Sequence, residues 1–354
     1  MEKLKILVIQ QKMIGDVLAS TIICNNLKLM YPNSQVDYLI YKHTLPVVEN
    51  NPSINNIIIF EELFRKSKWQ LFKFLLSVRK KKYDIVIDVY GKIESNLVVL
   101  FSGASKKIAL YRKYSSILFS DTIIENYAAT SIAGAAIDNR LNLLSPLKPT
   151  IVLQNKPKIY LTTDEINQGK LLLEKHNIDF SKRIFMISIL GSDFRKTYPK
   201  EYMSKILDFI VEKTDATLLF NYMSDQREDV EKIIELCNRK TVCNSKIDIQ
   251  PGSIRNFLST TYHCDGLIGN EGGAINMAKA IDIPCFTIFS PWIIKEAWNS
   301  FENGDTNFSV HLQDFRPELY GNKYAFEFKH KAIEMYHYFT PELFLAQLKK
   351  FILR

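Results

Sequence analysis

Short apolar runs, each ending in a turn and followed by residues at helical spacing, recur along the whole chain and constrain its fold more than any other feature. KILVIQ opens the sequence, and VDYLIY, NIIIF and DIVIDVY (84–90) follow, with KIAL near Lys107 and DTII near Asp121 as shorter candidates for edge strands. Residues 16–30 place Val17, Leu18, Ile22, Ile23, Leu27 and Leu29 at helical spacing, and residues 69–82 do the same between the third and fourth runs. Strands that alternate with helices predict an α/β fold, a parallel sheet with crossover helices.

The pattern breaks once and restarts. SPLKPTIVLQNKPKIYLT (145–162) holds three prolines and no helical period, and it reads as a linker. Beyond it come IFMISIL with the loop GSDFRKTYP, a helix over 200–213, ATLLFN, a helix capped near Ser224, DGLIG running into NEGG and AINMAKAI, and CFTIFS ending at Pro291. A chain of 354 residues exceeds one hydrophobic core. Two domains are therefore expected, 1–150 and 151–335, with a closing amphipathic helix in 336–354. In such folds ligands bind outside the carboxyl ends of the strands. The loops after Ile9, Leu190 and Ile268 hold that position, and they carry Gly15 and Asp16; Arg195 and Lys196; and Asn270, Glu271, Gly272 and Gly273.

Composition removes several classes. The hydrophobic fraction of 47% and charged fraction of 24% are those of a globular protein, and no apolar run has the roughly 20 residues of a membrane-spanning helix. The N-terminal run ILVI is too short for a secretory signal, so the cytoplasm is the expected compartment. Cys24, Cys237, Cys243, Cys264 and Cys285 form no Cys-x-x-Cys pair and read as free, mostly buried thiols. The six histidines show no metal-ligand spacing, His263 reads as structural, no Asp-x-Asp pair occurs, and neither a metal nor a cofactor is expected. No Gly-x-Gly-x-x-Gly follows the first strand, which argues against a dinucleotide oxidoreductase. The net charge of +8 favours an acidic partner, but no nucleic-acid-binding motif is present.

Three stretches carry candidate chemistry. In LIGNEGGAINMAKA a strand runs into two adjacent glycines and a helix, so free amides and the positive end of the helix dipole are offered to phosphate at 270–274. Glu271 is able to accept from a ribose hydroxyl there; the plain alternative is a tight turn without a ligand. ILGSDFRKTYP puts Arg195 and Lys196 in a loop after a strand, where a mobile ammonium suits phosphate and the amides of Gly191 and Ser192 are able to join it. The alternative is a solvated basic loop. Asp16, after IQQKMIG, is a helix cap, a catalytic base, or both. Finally, KWQLFKFLLSVRKKK joins aromatic residues to a basic end, which suits an anionic membrane surface as well as an ordinary crossover helix.

Taken together, KILVIQQKMIGDVLAS, ILGSDFRKTYP and LIGNEGGAINMAKAIDIPCFTIFSP resemble the motifs of glycosyltransferase family 9, the ADP-heptose:lipopolysaccharide heptosyltransferases, over roughly residues 3–292. The resemblance implies a GT-B fold, two Rossmann-like domains whose parallel sheets face a central cleft, with acceptor on the N-terminal domain and nucleotide-sugar on the C-terminal one. It implies an inverting transfer without a cofactor, from an ADP-sugar, most simply ADP-heptose, to a lipopolysaccharide core or related glycolipid. Peripheral contact with the anionic inner face of the inner membrane would follow. Asp16 would be the general base with Gly15 bordering the acceptor. Lys196 would stabilise the leaving diphosphate. Gly191, Ser192, Arg195, Asn270, Glu271, Gly272, Gly273 and Ala274 would hold the donor. The GT-B likeness also predicts that the helix over 341–353, apolar at Leu343, Phe344, Leu348, Phe351 and Ile352, packs back on the first domain. This chain departs from the family in having Glu271 and Gly272 in place of Asp and Ser or Thr, Asn276 in place of a frequent His, and Tyr198 in place of Trp. A sugar-nucleotide epimerase and a non-catalytic nucleotide-sugar-binding protein are the competing readings.

Overall fold

The computed structural model describes residues 3–126 and 128–354 and divides the chain into two compact units, Met1–Tyr160 and Leu161–Arg354. In the first unit six strands, β1 (Lys5–Ile9), β2 (Gln35–Ile40), β3 (Asn56–Ile59), β4 (Ile85–Asp88), β5 (Lys106–Leu110) and β6 (Asp121–Ile123), form one parallel sheet in the order β3-β2-β1-β4-β5-β6. The sheet explains the apolar runs. Ile6 to Ile9 of β1 are all fully buried, because successive side chains point to opposite faces and helices cover both. Leu7, Ile9 and Leu39 pack with Leu75 and Val78 of the helix Lys68–Lys80 and with Val98 and Val99 of the helix Ile93–Ser102. β5 is not an edge strand as expected; it lies between β4 and β6.

The second unit repeats the plan. Strands β7 (Ile184–Ser188), β8 (Thr217–Asn221), β9 (Ser245–Lys246), β10 (Gly266–Asn270), β11 (Cys285–Ile288) and β12 (Asn307–Val310) form a parallel sheet in the order β12-β11-β10-β7-β8-β9. In each sheet the chain order reverses at one place, between β1 and β4 and between β7 and β10. At such switch points diverging loops open a crevice. Gly269 shows how tight the second one is: its φ is +136°, and a Cβ there would meet the Ser188 carbonyl oxygen at 2.3 Å.

The two units meet in sequence at Tyr160 and Leu161, inside the stretch read as a linker. The linker carries one 3₁₀ turn, Ser145–Leu147, and ends at Thr162. There Thr162 and Glu165 form a capping box that starts the unforeseen helix Thr163–Lys175.

The expected return of the C-terminal helix to the first domain is corrected by the packing. The helix is Leu345–Ile352, preceded by a 3₁₀ turn Pro341–Leu343, and its residues Leu348, Phe351 and Ile352 are buried in the core of the second unit. The Phe351 ring lies 5.7 Å from Phe286 and 5.9 Å from Phe308, centroid to centroid. The aromatic residues on that unit's own strands give the helix face its partner. Among the described residues, no helix is long and apolar enough to cross a membrane.

Candidate active site

Asp16 occupies the third position of the helix Ile14–Met30, just past the carboxyl end of β1. It is not the residue that precedes the helix; it reaches back, its Oδ2 accepting from the Met13 amide at 3.2 Å. Its other oxygen is held by a residue the sequence did not single out. Arg140, on the helix Ala135–Asn142, donates to Asp16 Oδ1 at 2.7 Å, to Ser20 Oγ at 2.9 Å and to the Ala136 carbonyl at 2.7 Å. Ser20 in turn donates to the Asp16 carbonyl at 2.8 Å. The guanidinium fork therefore fixes the carboxylate in one orientation. The Asp16 side chain stays 28% exposed while that of Arg140 is 11% exposed, so the carboxylate is pinned and still reachable. Gly15, the residue before it, is partly buried in the first turn of the same helix.

A second carboxyl stands at the same switch point. Asp88 ends β4, is buried, and accepts through Oδ1 from the amides of Tyr90 and Gly91 at 3.0 Å each. Burial lifts its carboxyl to about 6, against the pull of those amides and of Ser95.

At the β7/β10 switch point the candidate donor residues come together. Lys196 Nζ lies 2.9 Å from Glu271 Oε1 and 5.6 Å from the Trp292 ring centroid. The lysine expected at phosphate and the glutamate expected at ribose thus hold one another in this structure. Arg195 is engaged by a neighbour as well: Asp193 Oδ1 accepts from the Arg195 amide at 2.8 Å and lies 3.3 Å from its Nε. Lys329 brings a further cation to the same ring, 4.8 Å from the Trp292 centroid. Sequence reasoning missed Asp193, Trp292 and Lys329; only the Asp in GSDFRK, an ordinary turn-capping type, was a readable signal.

Asn270 is a fastener. Its Oδ1 accepts from the Tyr198 amide at 2.8 Å, and its Nδ2 donates to the carbonyls of Ser188 and Ile189 at 3.0 and 2.9 Å. It is buried and leaves no side-chain atom over for a ligand. Gly191 is likewise a closure point, since a Cβ there would meet the Lys196 carbonyl oxygen at 2.3 Å. Tyr198 is fully buried, with its hydroxyl donating to the Phe339 carbonyl at 2.6 Å. Gly272 and Gly273 face open space: no atom lies within 4 Å of a Cβ built on either. Gly273 begins the helix Gly273–Ala280, whose first amides have no intrahelical partner. Ala274 is buried, so its amide is what it offers. Ser192 is exposed and borders a cavity of about 870 Å³ that Phe194, Tyr202, Gln226, Lys232 and Tyr336 also line. Among the described residues no group of three His, Cys, Asp or Glu is placed to hold a metal ion. The cysteines are free, and Cys243 is exposed rather than buried.

Two Rossmann-ordered sheets, each with polar groups gathered at its switch point, define a two-domain α/β enzyme of the GT-B class. The family model of glycosyltransferase family 9 (heptosyltransferase) matches residues 71–317, and the chain belongs to that family of sugar-transferring enzymes. Among its relatives, lipopolysaccharide heptosyltransferase 1 of Campylobacter coli is 22% identical over 293 residues, 81% of this chain and 84% of that protein. Lipopolysaccharide heptosyltransferase 3 of Escherichia coli is 25% identical over 280 residues, 78% and 80% of the two chains. The solved structure of E. coli ADP-heptose lps heptosyltransferase II superposes with a TM-score of 0.75 at 16% identity, covering 99% of each chain.

Proposed function

We propose that this enzyme transfers a heptose from ADP-heptose to a hydroxyl of a lipopolysaccharide-type glycolipid with inversion at the anomeric carbon. The acceptor hydroxyl gives its proton to Asp16 as its oxygen forms a bond to the anomeric carbon from the face opposite the diphosphate. The bond from that carbon to the diphosphate oxygen breaks, and its electron pair leaves with the nucleoside diphosphate. Lys196 and the free amides at Gly273 and Ala274 stabilise the negative charge growing on the leaving group. Glu271 holds Lys196 in place and balances its charge until diphosphate arrives. Gly191 shapes the loop, the Ser192 amide and hydroxyl face the donor, and Arg195 adds positive charge beside it. Gly15 lets the acceptor approach Asp16. No metal takes part in this scheme. An acceptor carried in a membrane leaflet brings the enzyme to that surface.

The observation that supports this reading best is the convergence of Lys196, Glu271 and the open Gly272–Gly273 turn at one switch point. Calorimetric titration with ADP, GDP and UDP tests it. ADP should bind most tightly, and Lys196→Ala should weaken it by about 1.5–3 kcal/mol, the scale of a bond to a charged group. Tighter binding of UDP or GDP rejects the ADP-sugar donor and leaves the transferase. No binding of any of the three to folded protein rejects the donor site.

A further inference from the structure

The helix Lys68–Lys80 carries a feature that the transfer reaction does not use. One of its faces does the ordinary work of a crossover helix: Leu75 and Val78 are buried, and Leu71 and Phe74 pack against the core of the first unit. The other face is also apolar. Trp69 is 62% exposed, Phe72 41% and Leu76 40%, and their spacing of three and four residues aligns them along one side of the helix. Trp69 stacks on Phe72 at 6.1 Å between centroids, and Phe72 meets Phe101 of the neighbouring helix edge-on at 6.2 Å. Leu100, next to Phe101 in the sequence, is 49% exposed as well. A buried helix would hide these rings, and an ordinary surface helix would have polar residues in their place.

The charge around the ridge has one sign. Between Leu63 and Lys82 the sequence has eight Lys and Arg and no Asp or Glu. Arg65 is committed to Glu94 at 2.7 Å and Lys81 approaches Asp37 at 3.7 Å. Lys66, Lys68, Lys80 and Lys82 have no carboxylate within ion-pair distance among the described residues, and Lys73 lies over the Trp69 ring at 5.2 Å. Aromatic rings at the centre with unpaired cations around them complement an anionic lipid surface: the rings enter at the depth of the headgroups and the lysines reach the phosphates. A second protein chain would need acidic groups facing those lysines, and an isologous contact with a copy of this chain would set the lysines against each other.

We propose that the ridge Trp69–Phe72–Leu76, with its surrounding lysines, docks the enzyme on an anionic phospholipid bilayer. This surface is independent of the donor and acceptor chemistry proposed above, so each can fail without the other. The test is flotation of the full chain with vesicles of phosphatidylethanolamine and phosphatidylglycerol, set beside vesicles of phosphatidylcholine alone. The wild type should float with the anionic vesicles only, and less so at high salt. Trp69→Ser with Phe72→Ser should cut the bound fraction by about tenfold or more, and Lys73→Glu with Lys80→Glu should do the same. Thermal melting and diphosphate binding should stay at wild-type values in both variants, because the substituted side chains lie outside the core and the site. No flotation of the wild type, or equal flotation of the serine variant, overturns the proposal. So does a wild-type dimer in solution that the serine variant makes monomeric while vesicles bind neither.

Discussion

Arg140→Met removes the fork that holds the proposed base while keeping much of the side chain's apolar bulk. Three hydrogen bonds are lost, to Asp16 Oδ1, Ser20 Oγ and the Ala136 carbonyl. A fully buried pair broken on one side costs about 3–5 kcal/mol, and an exposed one about 0–1. With Asp16 over a quarter exposed, water can solvate the abandoned carboxylate, so the expected loss of stability is about 1–3 kcal/mol. That would lower the melting temperature by roughly 3–10 °C, a change that leaves the enzyme folded at 25 °C. The kinetic effect should be larger than the thermal one. A general base contributes about 10²–10⁴ in rate, and one free to rotate keeps only part of that, so kcat should fall by about 10- to 100-fold with the donor KM unchanged. Arg140→Lys keeps the charge without the fork and should lie between. The assay is initial-rate kinetics at 25 °C beside melting curves. Normal kcat in Arg140→Met, with Asp16→Asn inactive, would show that the base needs no positioning and refute the reasoning.

Glu271→Gln should tighten nucleoside-diphosphate binding, because it frees Lys196 from its 2.9 Å partner and removes a like charge from the phosphates; weaker binding by calorimetry would return Glu271 to the ribose. Phe351→Ala should destabilise the second unit by about 3–5 kcal/mol, since the ring is fully buried against Phe286 and Phe308, and denaturant melts of the full chain measure it. Asp88 has its carboxyl raised from 3.8 to about 6 by burial, so the folded state holds that proton more tightly than the unfolded one. Its contribution is therefore fully present below about pH 4 and lost as the pH rises through about 6, roughly 3 kcal/mol in all. Asp88→Asn should lack that slope, and parallel stability profiles of the two proteins would contradict the assignment.

The strands most legible in the sequence are the central ones buried on both faces, because a parallel sheet covered by helices writes itself as continuous Val, Ile and Leu; the edge strand β3, NIII, was legible from its isoleucines although it is only partly buried. β9 is two polar-leaning residues, Ser245 and Lys246, and had nothing to show. β12, NFSV, is short and half apolar. The positions of Asp16, Lys196 and the Glu271–Gly273 turn at strand ends were readable from local order alone. Their partners were not: Arg140 reaches Asp16 across 124 residues of sequence, and no local spacing reports it. Lys196 and Glu271 were each read as a ligand contact, although opposite charges at one switch point also satisfy each other. The C-terminal helix announces through its spacing that it buries one face. Which surface receives that face depends on Phe286 and Phe308, distant strand residues whose rings complete the packing.

Transfer from ADP-heptose to a glycolipid acceptor, measured as ADP released and glycosylated product formed by wild type and Asp16→Asn side by side, bears most directly on the central claim. The wild type should give product with inverted anomeric configuration. Asp16→Asn should turn over about 10²–10⁴ times more slowly, with ADP affinity unchanged. Asp16→Asn working at the wild-type rate, or a wild-type product with retained configuration, would contradict it.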